Sequence, residues 1–483
     1  VVWYNEAWRR VSLTRCRGVS YRMSLTNRGF LFSLFALAAL GAGFVADASL
    51  RRACERTHPG ADPAALMAVE GVTASADVSA GLDTDLSPVV LVGKVLKVVK
   101  DYYVEDVNPF ENSRMAHGAV RYMVSSLGDP GSRFLDEKQV QAYREMALGR
   151  FNGIGAVLMI RDQKKPDWTE QELTVVAPIE GSPAAKAGLR PGDVIVEVDG
   201  KWVMSHDPYS EAMKVTRDHA ASPGDKRRAV KDAEELRKRA ISLDEAFTKL
   251  TTPQQEPLGL KVRRDGRELA VTVSTAEVEA KTVESRVLED GIGYVRIHLF
   301  TPSTAEALEG ELKSLRGRGV RTLVVDLRNC PGGSLAAAQA AAGLFMPGKK
   351  LGTVLRSRDR KEALVARPPG GEALDFRVAA ALVNRGTEGA AELLAAALRD
   401  SAGARLIGER TWGNAFERTA FQLADGTGYT LTTGKFVPPG GADFHRTGVK
   451  PDAVVALPAS AAPGSPEDRQ LERALAVAKR PAA

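Results

Sequence analysis

Residues 382–399 read LVNRGTEGAAELLAAALR. An apolar run from Ala379 to Val383 meets Asn384, Arg385 and Gly386, and an Ala/Leu-rich helix follows. In many hydrolases a strand that turns sharply into a helix holds the nucleophile. The free N–H groups and positive end of the helix dipole there face a developing oxyanion. Here the turn carries Thr387, Glu388 and Gly389, with neither Ser nor Cys at its tip. Glu388, beside the helix N-terminus, favours a bound cation or amine over an oxyanion. A second stretch, LVVDLRNCPGG, ends a buried strand at Asp326 and forms a glycine loop from Asn329 to Gly333. Gly332 and Gly333 can approach a substrate carbonyl closely, and Cys330 and Ser334 flank them. A third, Asn152-Gly153-Ile154-Gly155, enters a strand. It offers N–H groups to a terminal carboxylate and a strand edge to an extended peptide. Thr387, Ser334 and Cys330 are the fallback nucleophiles, and none has an evident base. Each also has a structural reading: Thr387 as a helix cap, Ser334 as an N-cap, Cys330 as a small buried residue.

The elements that must position these residues follow from periodicity. After a weakly patterned linker over 49–86, VVLVGKVLKVVKDYYV sets Val92, Val95, Leu96, Val99 and Tyr103 on one helical face. Two more helices are predicted to either side of GDPGSRF, the later one capped by Asp136. After Gly149 the period shortens: GIGAVLMI and ELTVVAPI read as strands. They precede a short helix at 183–187, a Gly-Leu-Arg-Pro-Gly-Asp turn and a strand ending at Asp199-Gly200. A heavily charged helical stretch over 204–240 interrupts this pattern and reads as a solvated insertion. LGLKVRRDGRELAVTVS is a hairpin turning at Asp265-Gly266. From Gly291 strands and helices alternate, which implies a mostly parallel sheet with covering helices. Residues 461–483 read as a frayed tail.

The chain has 483 residues, enough for two or three domains, with 44% hydrophobic and 26% charged residues, the composition of a folded protein. A net charge of +6 comes from separate Arg-rich patches without a base-stacking motif, so nucleic acid is not an expected partner. Three cysteines form no CxxC pair, and six scattered histidines give no ligand spacing, so neither a metal nor a cofactor is expected. At the N-terminus a basic segment (1–29) precedes an uncharged apolar run, Gly29 to Ala46. Residues 30–48 therefore read as a signal peptide or a membrane anchor, with the upstream arginines keeping that side cytoplasmic. The bulk of the chain is expected on the extracytoplasmic, periplasmic side.

Taken together, SPAAKAGLRPGDVIVEVDG with its preceding Gly-rich loop resembles a PDZ domain of the bacterial protease type. SSLGDPGSRFLD, DLRNCPGG, GERTWG, TTGKFVPPGG and GVKPD, in this order, resemble the carboxyl-terminal processing peptidases, the tail-specific serine proteases. The resemblance spans residues 87–457. It implies an α/β (α+β) multidomain fold: N-terminal helices (87–150), an inserted PDZ-like β domain (151–280) and a mostly parallel α/β protease-like core (281–460). Members of the family use a Ser–Lys dyad, in which a lysine of lowered pKa is the base. Their elbow reads Gly-Ser-Ala-Ser-Ala-Ser-Glu, with the middle Ser as nucleophile. This chain has Gly386-Thr387-Glu388-Gly389-Ala390-Ala391-Glu392, which puts Gly389 in that position. The family's Gly-Lys-Gly becomes Gly413-Asn414-Ala415, and its supporting Gln becomes Arg418. Lys435 in TTGKF matches a strand position, not the dyad lysine.

All three functional positions are changed while the framework around them remains. The expected function is that of a non-catalytic relative that binds protein or peptide C-termini through Asn152, Gly153, Ile154 and Gly155. The alternatives are an active serine-type endopeptidase with a relocated nucleophile, and a scaffold for another envelope protease or complex that docks through residues 204–240.

Overall fold

The computed structural model describes residues 87–164, 169–370, 374–458 and 461–480. The basic segment, the signal or anchor and the linker expected over residues 1–86 lie outside the described residues. Among the described residues no helix is long and apolar enough to cross a membrane.

Two helices open the described chain, α1 (Ser87–Tyr102) and α2 (Pro109–Ser125). Asn108 caps α2 in a reciprocal pair with Glu111, and Pro109 starts the helix where its missing N–H costs nothing. The expected apolar face of α1 exists, but Val92 and Val95 on it are exposed. A short strand, β1 (Arg133–Leu135), leads into α3 (Glu137–Ala147), where Asp136 and Gln139 form the same kind of capping box.

The next layer is a β domain. Its strands are β2 (Arg150–Phe151), β3 (Ala156–Lys164) and β4 (Thr169–Pro178), then helix α4 (Pro183–Lys186). They are followed by β5 (Val194–Val198), β6 (Lys201–Val203), helices α5 (Pro208–Arg217) and α6 (Pro223–Lys238) and β7 (Ala240–Ile241). Helix α7 (Leu243–Thr251) precedes the hairpin β8 (Leu258–Arg264) and β9 (Arg267–Val273), and β10 (Val278–Glu279) closes the domain. The sheet order is β3-β4-β5-β6-β7, with β8 and β9 added beside β5, so β3 is an edge strand. The β8–β9 turn has Asp265 and Gly266 at φ 48° and 78°, the left-handed pair a two-residue hairpin needs. The charged insertion is the α5–α6 pair, and it returns the chain to lay β7 parallel to β6.

The core begins with β11 (Val283–Val287) and β12 (Gly293–Ile297), then α8 (Thr304–Gly317), β13 (Thr322–Asp326) and α9 (Leu335–Phe345). Next come β14 (Lys350–Leu355), β15 (Lys361–Val365), β16 (Arg377–Val383), α10 (Ala390–Ala402) and β17 (Arg405–Gly408). The last elements are β18 (Phe416–Gln422), β19 (Gly428–Val437), β20 (Ala453–Val454) and α11 (Arg469–Ala478). One sheet, β11-β12-β13-β16-β17-β20, is parallel except at β11, as the alternating pattern predicts. Helix α10 is apolar on nearly all sides and fully buried over most of its length. It ends at Gly403, whose φ of 77° supplies the left-handed cap.

Two features differ from the sequence reading. A second, antiparallel sheet runs β1-β19-β14-β15, with β18 on the far edge of β19. It joins residues nearly three hundred positions apart, so no local pattern announces it. The tail expected over 461–483 contains α11, which packs Leu471, Ala474 and Ala478 against Tyr294, Val324 and Ile407. Its amphipathic period is what the sequence reading missed. It is also held electrostatically. Arg328, fully buried, donates to Asp326, to Asp468 at 2.7 and 2.9 Å, and to Gln470 at 2.9 Å. Tyr294 adds a hydrogen bond of 2.7 Å to Asp326.

Candidate functional site

The elbow between β16 and α10 is fixed from three directions. Within the turn, the Asn384 N–H donates to Thr387 Oγ1 at 3.0 Å, and the Thr387 N–H donates back to the Asn384 carbonyl at 2.9 Å. Toward the glycine loop, Thr387 Oγ1 donates to the Leu327 carbonyl at 2.8 Å, and the Glu388 N–H donates to the Cys330 carbonyl at 3.0 Å. Asn384 and Asn329 cross-link the same two loops through their side chains at 2.8 Å. On the third side, the Trp412 N–H donates to the Thr387 carbonyl at 3.0 Å. The helix starts at Gly389, at φ 57° and ψ −117°, a conformation open to glycine and strained for any other residue. A Cβ built there meets no atom within 4 Å. The backbone of a nucleophile elbow is present, with room for a side chain and none attached.

The glycine loop lies against this turn. A Cβ on Gly332 would stand 2.8 Å from the Glu388 carbonyl oxygen, 3.1 Å from Glu388 Oε2 and 3.3 Å from the Ala390 nitrogen. On Gly333 it would stand 2.2 Å from the Phe300 carbonyl oxygen. Only glycine permits both approaches. Glu388 itself turns inward: its Oε1 accepts a hydrogen bond from Asn414 Nδ2, and burial holds its carboxyl above the ordinary range, with Arg418 pulling the other way. One turn into α10, Glu392 is completely buried and anchors the whole corner. Its Oε2 accepts from the N–H groups of Gly389 at 3.0 Å and Asn414 at 2.8 Å. Its Oε1 accepts from the Gly413 N–H at 2.7 Å and from Thr411 Oγ1. Burial, helped by the Glu388 charge, pushes this carboxyl up to about 8 against the Thr411, Asn414 and Gly413 donors.

The fallback nucleophiles are all occupied structurally. Thr387 is not the helix cap, since the cap position of α10 is Gly389, two residues later; its hydroxyl ties the turn together instead. Ser334 caps α9, its Oγ accepting from the Ala337 N–H at 3.3 Å. Cys330 is fully buried and burial pushes its thiol up to about 12. Lys435 sits on β19 and pairs with Asp443 at 2.5 Å.

In the β domain, the loop before β3 is set by close approach. A Cβ on Gly153 would lie 2.1 Å from the Leu250 carbonyl, and one on Gly155 2.5 Å from Ser182 Cβ. The Ile154 N–H donates to the Leu250 carbonyl at 2.9 Å, so of the four residues expected to receive a terminal carboxylate, Ile154 has its N–H already engaged. Between this domain and the core, oxygens of Glu180 and Glu284 and a ring nitrogen of His298 lie within 4.8 Å of one another. Arg296 supplies the positive charge there, 2.9 Å from Glu180, and together with burial holds the His298 imidazole below its ordinary range. Lys281 adds a second cation, 3.1 Å from Glu284.

Comparison with known proteins follows the same division. Residues 291–455 match Peptidase family S41, and residues 174–222 match a PDZ domain. The carboxy-terminal processing protease CtpA of Bacillus subtilis is 31% identical over 363 residues, which is 75% of this chain and 67% of that protein. The chain belongs to peptidase family S41. A carboxyl-terminal-processing protease of Synechocystis is 29% identical over 387 residues, covering 78% of this chain and 80% of that one. The solved photosystem II D1 C-terminal processing protease superposes with a TM-score of 0.55 at 25% identity, covering 77% of this S41 chain and 94% of that structure.

Four residues of this S41 chain carry contacts that the sequence reading did not reach. Glu392 was visible as a lone carboxylate in an Ala/Leu run. The others, Met159 and Arg161 on β3 and Trp412 before Asn414, gave no such signal. Arg161 stacks over the Trp412 ring at 4.5 Å, and Arg418 Nη2 reaches Met159 Sδ at 3.8 Å. The PDZ edge strand therefore lies directly beside the elbow.

Proposed function

We propose that this chain is a non-catalytic S41 peptidase homologue that holds protein C-termini through its PDZ domain, outside the cytoplasmic membrane. The observation that carries the reading is the hydrogen bond from Asn414 to Glu388 across an elbow whose tip is Gly389. A Ser–Lys hydrolase needs a hydroxyl at one of these positions and a neutral amine at the other. Here an amide that accepts protons poorly faces a carboxylate, and Glu388 Oε2 points toward Gly332, where a developing oxyanion needs donors. The nucleophile, the base and the electrostatics of the glycine loop are altered together. The extracytoplasmic placement rests on the arginine-flanked apolar run before residue 49.

The test is incubation of the purified full chain with an unfolded protein substrate and with a serine-directed phosphonate. Neither cleavage nor covalent labelling is expected. Cleavage that disappears with Cys330→Ala or Ser334→Ala would replace this reading with a relocated active site.

A further inference from the structure

The PDZ edge strand and the elbow share a wall of arginines. Arg133 on β1, Arg161 on β3 and Arg418 on β18 come from three different layers. Each is partly open to solvent, and the adjacent carboxylates are paired elsewhere: Glu172, opposite Arg161 on β4, with Arg263, and Glu417 with Arg356. Their contacts are aromatic or apolar instead. Arg133 stacks on Phe247 of α7 at 4.1 Å, Arg161 on Trp412 at 4.5 Å, and Arg418 touches Met159 at 3.8 Å. Burial weighs most against the Arg133 charge, and repulsion by Arg418 adds to that cost. Arg418 keeps a buried Nε without an acceptor, lying over Gly131, where a Cβ would sit 2.2 Å from that nitrogen. Stacked, unpaired guanidinium groups in a cleft leave their planar donor edges free for a carboxylate.

Among the described residues, nearby acids attract this wall without forming an ion pair with it: Glu392 and Glu172 act on Arg161, and Asp244 and Asp136 on Arg133. Glu388 is 7% exposed and bonded to Asn414; Glu392 is enclosed by four donors. Asp129 is turned toward Ser132, Gly131 and Thr432.

We infer that this cleft binds the acidic stretch of an extended peptide whose C-terminus is held at the PDZ loop. The inference rests on the proposed PDZ function and deepens it. β3 begins immediately after Gly155 and pairs only with β4, so a peptide added to its other edge runs antiparallel from the loop toward Arg161. Met159 and Arg161 are two apart and face the same side. Arg161 lies six residues beyond Gly155, roughly 20 Å at strand rise. The matching carboxylates are therefore Asp or Glu about five to eight residues before the peptide's end.

The experiment uses the full chain and four fluorescent dodecapeptides, read by anisotropy. Two carry three Glu at five to eight residues from the end, two carry Gln there, and each pair has one free and one amidated terminus. The Glu peptides should bind roughly tenfold or more tightly than their Gln partners at low salt, and the advantage should shrink with added salt. Arg161→Gln with Arg418→Gln should abolish the advantage, while Arg161→Lys with Arg418→Lys should keep part of it, which separates charge loss from misfolding. Equal binding of Glu and Gln peptides, or an advantage that survives the double Gln variant, overturns the inference. So does a twelve-nucleotide single-stranded RNA that binds as tightly as the Glu peptide and with the same arginine dependence. Free against amidated termini reports separately on the PDZ loop: equal binding of those two defeats the PDZ reading, whatever the Glu peptides do.

Discussion

Asn414 and Glu388 are joined side chain to side chain beneath the elbow, an amide donor facing a carboxyl acceptor. This relationship decides what a repair must include. Gly389→Ser places a hydroxyl in open space, at a strain of about 1–3 kcal/mol for its left-handed backbone. Asn414→Lys then sets an ammonium beside Glu388, which holds the lysine protonated and useless as a base. The pair of changes is expected to leave casein uncut. Adding Glu388→Ala removes the counter-charge and should bring cleavage and phosphonate labelling together. Activity of the double variant that matches the triple one would show that Glu388 does not suppress the base.

The same carboxyl makes stability depend on pH. Burial raises Glu388 above its ordinary 4.5, so folding favours its protonated form. Its contribution is full below about pH 4.5 and is lost as pH rises through the raised value. Glu392, pushed to about 8, acts in the same direction, its contribution being lost as pH rises through about 8. Glu388→Gln keeps an acceptor for Asn414 and removes the titration. Urea midpoints measured from pH 5 to pH 8 should fall less steeply for that variant than for the parent. Parallel curves would mean that Glu388 does not titrate in this range.

Arg328→Met leaves Asp326 and Asp468 buried without their shared cation. Breaking a buried pair by removing one partner costs roughly 3–5 kcal/mol, so the urea midpoint should drop sharply. Replacing all three charges together should recover much of that loss. A triple variant no better than the single one would assign the cost to packing.

Gly155→Ala tests the carboxylate loop. The added methyl meets Ser182 Cβ at 2.5 Å, on a backbone with φ 71°. The expected result is a PDZ domain destabilised by about 1–2 kcal/mol, with preference for free over amidated C-termini lost. Unchanged preference in a calorimetric titration would move the carboxylate site elsewhere.

The legible parts of this protein are those encoded locally. Asp136 announces a helix start, Asp265-Gly266 a hairpin, and the order DLRNCPGG, elbow, GERTWG a peptidase core. What the sequence withheld is long-range. Nothing near Arg133 says that β1 pairs with β19, and nothing near Arg161 says that it lies on Trp412. Thr387 was misread because a hydroxyl before a helix is commonly a cap. Its Oγ1 instead bonds to Leu327, sixty residues away, a partner no window around the elbow contains. Glu388 was recognised as unfavourable to an oxyanion. Its binding to Asn414 depends on a contact across 26 residues.

The Arg328 cluster has a consequence for the order in which the protein is made. Asp468 lies 140 residues downstream of Arg328, so a chain leaving the ribosome exposes the guanidinium long before its second carboxylate exists. Until α11 emerges, the central sheet also lacks the cover that Leu471 and Ala474 give to Tyr294 and Val324. The PDZ segment is contiguous in sequence, whereas the peptidase core cannot complete its sheet cover until residues 468–478 have been made. Closure of the core therefore waits on a helix made 140 residues after Arg328, and until then that guanidinium lacks its second carboxylate.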